Sequence, residues 1–377
     1  MHSAWLLPEH FADVLPAQAR RIEELRRQLL DLASCHGFEL VMPPLVEHLD
    51  SLLSGTGETQ DLRTFKLVDQ LSGRSLGVRA DTTPQVARID AHLLNRKGVT
   101  RLCYCGPVVH ALPSHPLASR EPLQFGVEVY GHAGLEADLE VLELALEVVQ
   151  RLGLEQPLLE LGDARCIQAL VPGHAPAVLE ALRVRSPAAL RAALGEPAPV
   201  EALLDMVGGI EVLDQAAVRL PKLPGIEAAL HDLRCLVEHL RLAHPDLRIG
   251  IDLAGMAGNG YYTGVSFAAY AAGLNDSLLR GGRYDQVGAV FGRRRPAAGF
   301  SMDLKSLLDV LPVQALRAAI RAPWSEDVGL RELVRALRGA GETVVWQLPG
   351  HDDEAEEYAC DRELLRSADG NWTLRVL

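Results

Sequence analysis

Leu102-Cys103-Tyr104-Cys105-Gly106-Pro107-Val108-Val109 and, beyond a Pro-rich loop, Leu123-Gln124-Phe125-Gly126-Val127-Glu128-Val129-Tyr130 read as two apolar strands with no crossover helix between them. Upstream, Ile22, Leu25, Leu29 and Leu32 repeat at helical spacing from Pro16 toward Gly37, which stands where a C-terminal cap belongs. Phe38–Met42 is a strand stopped by Pro43-Pro44. Thr64–Val68 and Leu76–Arg79 flank a Ser72-Gly73-Arg74 turn, and a short helix begins near Thr82-Thr83-Pro84. Downstream come a helix over Ala137–Leu152, a strand over Pro157–Leu161 and a helical stretch from Cys166 to His244. Strands follow over Arg248–Leu253, Tyr262–Tyr270 and Ser277–Leu279, then a helix over Leu304–Leu311. Strands in this order, with few crossover helices, predict an α+β fold: a mainly antiparallel sheet flanked by helices.

The pattern divides the chain into a core, first part (1–165), a helical insertion (166–245), a core, second part (246–312), and a short C-terminal extension (313–377). The extension reads as a helix near Leu330–Leu337, a strand over Thr343–Leu348 and a hairpin around Asp369-Gly370. About sixty residues are expected to form an appended unit with hardly an independent core.

The formal charge is −13, from 37 basic and 50 acidic residues. Proteins that grip nucleic acid through its phosphates show a basic face, so this balance argues against RNA binding. The one dense basic cluster, Arg293-Arg294-Arg295, reads as a solvated loop. No leader-like N-terminal segment and no run of ~20 apolar residues is present, so a cytoplasmic protein without a membrane span is expected. The six cysteines form no CxxC pair. Cys103 and Cys105 share a sheet face and read as buried thiols, and no metal is expected.

Four segments resemble histidyl-tRNA synthetase in order along the chain. Gly37–Glu47 is similar to the class II dimer-interface segment, and Leu102–Val109 with Gln124–Glu128 to its second motif. Gly258-Asn259-Gly260-Tyr261-Tyr262-Thr263 is similar to its histidine-specific peptide. Gly281-Gly282-Arg283-Tyr284-Asp285 with Gly299-Phe300-Ser301-Met302 is similar to its glycine-rich turn and third motif. The resemblance implies a class II synthetase core. It also implies three arginines for the ATP phosphates, because a guanidinium fork pairs with phosphate oxygens in two bonds.

Each of those positions has changed. Where the second motif calls for Gly-Pro-x-Phe-Arg-x-Glu, the chain has Gly106-Pro107-Val108-Val109-His110-Ala111-Leu112, so His110 and Leu112 replace arginine and glutamate. Ala257 and Ser306 stand at the other two arginine positions. Lys305, one residue from Ser306 on the expected helix, should point about 100° away. Losing one preorganised donor costs about 3 kcal/mol of barrier, so losing three predicts a dead adenylation site.

The amino-acid side is better kept. The resemblance assigns histidine binding to Asp81, Thr83, Gln124, Glu128 and Tyr262, with Tyr261 beside them. Carboxylates suit an ammonium or imidazolium, while Gln and Tyr orient hydrogen bonds. Taken alone, Gln124 and Glu128 could be a satisfied polar patch on one strand face, Tyr261-Tyr262 ordinary packing, and His110 a hydrogen-bonded strand residue.

Among synthetase-like families, the regulatory subunits of ATP phosphoribosyltransferase keep this core, lose the arginines and lack the anticodon-binding domain. The resemblance to them implies a non-catalytic partner of a short-form catalytic subunit in the first step of histidine biosynthesis. It further implies a hetero-octamer built on synthetase-like self-dimers, histidine as feedback effector, no cofactor and no tRNA. The competing readings are an active adenylating synthetase and a free-standing histidine-sensing module.

Overall fold

The computed structural model describes residues 6–53, 58–154, 157–173, 176–195, 199–255, 262–274, 276–311, 318–351 and 359–377. Tyr261 and Ala257 lie outside them. Two compact units are present, Met1–Leu311 and Pro312–Leu377.

In the first unit, α1 (Pro16–Cys35) buries Ile22, Leu25, Leu29 and Leu32 as one stripe. It stops at Gly37, whose φ of +81° suits the left-handed turn back toward the sheet. The strand expected over 38–42 shrinks to β1 (Glu39–Leu40), because Pro43-Pro44 cannot extend its ladder. β2 (Val46–His48), α2 (Leu49–Leu53), α3 (Glu58–Arg63), β3 (Phe65–Val68) and β4 (Ser75–Val78) follow, with the three strands in a small antiparallel sheet. The Asp69 carboxylate holds the β3–β4 turn by accepting from the Leu71 and Ser72 amides. α4 (Thr83–Arg88) starts on Pro84 and runs into a π-helical turn over Ile89–Leu94.

β5 (Thr100–Pro107) and β6 (Leu123–Tyr130) pair antiparallel along their whole length. Next come α5 (Leu135–Arg151), β7 (Leu158–Asp163), the helical stretch α6 (Ala164–Leu170), α7 (Pro176–Arg183) and α8 (Pro187–Leu194), β8 (Val207–Gly208), and α9 (Val212–Arg219) and α10 (Pro224–Ala243). β9 (Arg248–Asp252), β10 (Val265–Tyr270), β11 (Leu279–Arg283), α11 (Val287–Val290) and β12 (Ala297–Asp303) complete the unit. The nine strands of the main sheet run in the order β1-β5-β6-β12-β11-β10-β7-β9-β8. Among the described residues every neighbouring pair is antiparallel except β1–β5 and β7–β9. The mainly antiparallel α+β sheet is therefore present.

One face of the sheet, carrying Cys103, Cys105, Phe125, Val127, Phe267 and Phe300, packs on α1, α5 and α10 in one large core. Val178, Leu182, Leu190 and Leu213 of the helical stretch join that same core. Burial raises the Cys103 and Cys105 thiols to about 11 and about 12, as expected for inert core sulfur. The opposite face carries Leu102, Tyr104, Tyr130 and Tyr284 under Val86 and Ala87 of α4. β6 thus alternates between a greasy face and a face bearing Gln124, Gly126 and Glu128.

Three expectations need correction. The helix over Leu304–Leu311 is only a 3₁₀ turn, Ser306–Asp309, entered through Asp303, whose carboxylate accepts from Lys305 N at 2.9 Å and Leu123 N at 2.9 Å. β12 went unread because Ala297–Asp303 is central, buried on both faces and free of β-branched residues, so no alternation appears. Arg293–Arg295 is not a solvated loop. Arg295 is buried and donates to both Asp90 carboxylate oxygens at 2.8 and 3.0 Å and to Tyr130 O, while Arg293 donates to Asp90 O at 3.4 Å and to Arg96 O.

The second unit is a four-stranded sheet in the order β14 (Val344–Gln347), β13 (Ala319–Pro323), β15 (Cys360–Arg366), β16 (Trp372–Val376), with α12 (Val328–Gly339) capped by Asp327. It has a core of its own from Ile320, Ala322, Leu330, Val334, Val344 and Leu364, contrary to expectation. The unread strand β13 pairs parallel with both β14 and β15, which makes that core. No described helix is long and apolar enough to cross a membrane.

Candidate functional site

Strand alternation puts Gln124, Gly126 and Glu128 on one face of β6, opposite Tyr104 of β5. Gly126 has to be glycine: a Cβ there would overlap the Tyr104 ring and meet Phe300 O at 2.8 Å. The space it leaves lets the Tyr104 hydroxyl donate to Glu128 Oε1 at 3.2 Å, while Tyr284 donates to Oε2. With the Tyr104 proton committed, Thr83 Oγ1 donates to Tyr104 at 3.0 Å. Glu128 is 1% exposed. Burial raises its carboxyl to about 8 despite the hydroxyls of Tyr284, Thr83 and Tyr104, so it holds its proton at neutral pH.

The same network surfaces at Asp81. Gln124 Nε2 donates to Asp81 Oδ1 at 2.9 Å, Thr83 N donates to that oxygen at 3.2 Å, and Thr82 N donates to Gln124 Oε1 at 2.9 Å. Asp81, Thr83, Gln124 and, through Tyr104, Glu128 therefore form one continuous hydrogen-bonded network, from the half-buried Asp81 to the fully buried, protonated carboxyl of Glu128. Tyr262 approaches from the β10 side: its carbonyl accepts from Gln168 Nε2 at 3.2 Å, and its ring lies so close to Gly282 that a Cβ there would meet it at 2.8 Å. Burial raises its phenol, with Glu128 and Asp81 adding to the effect.

A cavity of about 670 Å³ opens over this network, walled in part by Arg63, Asp81, His110, Gln124, Arg280 and Ser306. It is large for an amino acid alone. Thr83 and Glu128 lie buried beneath it.

The substituted positions each have an ordinary account. His110 is buried, with Nε2 at 3.0 Å from Ala80 O and Arg63 at 3.1 Å. Burial first and Arg63 second lower it to about 4, so the imidazole is neutral. Leu112 is exposed. Ser306 Oγ donates to Asp303 O at 2.7 Å. The expected 100° divergence of Lys305 is not met, because the helix is absent and both Lys305 and Ser306 border the cavity; Lys305 is held by Glu121 at 3.0 Å. Sequence reasoning missed Tyr104, Tyr284, Arg63 and Arg280. The two tyrosines sat inside quoted motifs, whereas Arg63 carried no signal. Among the described residues no cluster of His, Cys, Asp and Glu could hold a metal.

Residues 10–307 match the family model described as histidyl-tRNA synthetase, and residues 317–375 match the one described as ATP phosphoribosyltransferase subunit HisZ C-terminal domain. The chain is 57% identical over 393 residues to the ATP phosphoribosyltransferase regulatory subunit of Variovorax paradoxus (strain S110), covering 100% of both. The chain belongs to the ATP phosphoribosyltransferase regulatory subunit family. A solved structure from Bacillus halodurans C, described as an ATP phosphoribosyltransferase regulatory subunit/histidyl-tRNA synthetase, shares 26% identity and a TM-score of 0.82, with 94% of this chain and 96% of that one covered. Histidyl-tRNA synthetase from Nostoc sp. PCC 7120 shares the fold at 19% identity and a TM-score of 0.78, over 99% of this chain and 97% of that one.

As a regulatory subunit in histidine biosynthesis, the protein works with an ATP phosphoribosyltransferase catalytic subunit. The second unit, which has its own core, coincides with the segment that matches the HisZ C-terminal model.

Proposed function

We propose that the protein is the non-catalytic, activity-completing partner of a short-form catalytic subunit and that it senses histidine at the Asp81–Thr83–Gln124–Glu128–Tyr262 site, with Tyr261 beside it. The observation that carries this reading is the unbroken hydrogen-bonded chain from Asp81 to Glu128 beneath a cavity whose synthetase-type arginine positions hold His110 and Ser306. A carboxylate at the mouth suits an ammonium group. A proton-holding Glu128 between two tyrosines suits a neutral imidazole, to which it is both donor and acceptor.

Histidine bound there biases the assembly by its difference in affinity between two states, and by no more than that difference. Self-dimers through the synthetase-like core, assembly into a hetero-octamer, absence of tRNA binding and cytoplasmic location belong to the same proposal. So does the division into core (1–165, 246–312), insertion (166–245) and extension (313–377). Co-expression with a short catalytic subunit tests it. Phosphoribosyl transfer should require this chain and fall on addition of histidine; transfer at full rate without the chain refutes the activating role.

A further inference from the structure

Two backbone ties fix Arg63, the last residue of α3, beside His110: Ala111 N donates to Arg63 O at 2.8 Å, and Thr64 bridges His110. The side chain walls the cavity together with Asp81 and Gln124. It differs from the other cations there. Lys305 is paired with Glu121 at 3.0 Å and Arg280 with Asp276 at 2.5 Å, whereas Arg63 forms no ion pair among the described residues. Among the described residues its guanidinium bonds only to His110, and its buried Nε has no partner. His110 offers no charge in return. Its Nε2 faces the Ala80 carbonyl and carries the proton, which leaves Nδ1 to accept from Arg63. A partly buried guanidinium with unused donors and a neutral neighbour is costly until an anion meets it. Asp81 acts on Arg63 electrostatically across the cavity without pairing with it.

We infer that Arg63 receives the α-carboxylate of the amino acid whose ammonium group rests on Asp81. The inference depends on the proposed amino-acid site. It supplies a cation for the carboxylate from an element upstream of all the motifs that mark the pocket. Arg63 and Asp81 then form a trap for a zwitterion, with His110 setting the orientation of the guanidinium fork.

Titration calorimetry of the full chain with L-histidine and L-histidinamide, in which a neutral amide replaces the carboxylate, tests this. The wild type should prefer histidine by about 10- to 100-fold, the worth of a charge-assisted contact. Arg63→Met and Arg63→Gln should bind the two alike, at the histidinamide level, and Arg63→Lys should recover part of the preference. Circular dichroism and the thermal midpoint confirm that each variant is folded. If Arg63→Gln keeps the wild-type preference while Glu128→Gln weakens binding, the site stands and the Arg63 assignment is wrong. If the wild type binds neither compound, both fall. Arg63-dependent binding of inorganic pyrophosphate that histidine does not displace would assign the guanidinium to phosphate and overturn the inference.

Discussion

Tyr104 and Glu128, on the neighbouring strands β5 and β6, meet at 3.2 Å through the tyrosine hydroxyl, and Tyr284 holds the other carboxyl oxygen. Glu128→Gln keeps the volume and an acceptor for one tyrosine hydroxyl, turns the other contact into an amide N–H donor, and removes the titrating proton. It should weaken histidine binding by about 10-fold or more with little change in thermal midpoint. Glu128→Ala should abolish binding and also destabilise the fold, because it removes the acceptor of the Tyr104 and Tyr284 hydroxyl protons, at about 1–3 kcal/mol each. Calorimetry with thermal melts checks both; wild-type affinity in Glu128→Gln removes this residue from the site.

Stability should carry the signature of the same carboxyl. Its value in the folded state is raised from 4.5 to about 8 by burial. Between those values the folded chain keeps a proton that the unfolded chain releases. The stabilisation is therefore complete below pH 4.5, declines as pH rises toward 8 and is flat above, a change of the order of a few kcal/mol. Urea unfolding of wild type and Glu128→Gln at intervals from pH 5 to 9 isolates it, because other titrating groups cancel in the difference. Parallel curves would mean that Glu128 ionises normally.

His110→Arg should not restore adenylation. The pocket around residue 110 is closed by Ala80 O and already holds Arg63, so a second guanidinium meets like charge rather than phosphate. ATP–pyrophosphate exchange with histidine should stay at background, and strong exchange from this one change would show that the nucleotide site is intact.

Arg295→Met should cost about 3–5 kcal/mol, because it strands the buried Asp90 carboxylate of the π-helical turn that follows α4. Arg294→Ala, next to it on the chain, should cost under about 0.5 kcal/mol as an ordinary surface change. Urea unfolding separates the two; equal small effects would restore the reading of this loop as solvated.

The antiparallel sheet, the long helices and the face shared by Gln124 and Glu128 were legible in the chain, because period-2 and period-3.6 patterns are local properties of strands and helices. So were the missing arginines at His110 and Ser306, since motif position is a property of the sequence alone. β12 and β13 were not legible, because central strands largely buried on both faces show no regular alternation of polar and apolar residues. The burial of Arg295 was likewise invisible, since a run of arginines carries no mark of the distant Asp90 that pairs with it. Only the tertiary structure brought Arg63 from α3 against His110, joined Tyr104 and Tyr284 to Glu128, and left one guanidinium of the cavity without a counter-ion among the described residues. These are contacts between residues tens to more than a hundred positions apart, and their energies depend on burial and distance, quantities that exist only once the chain has closed on itself.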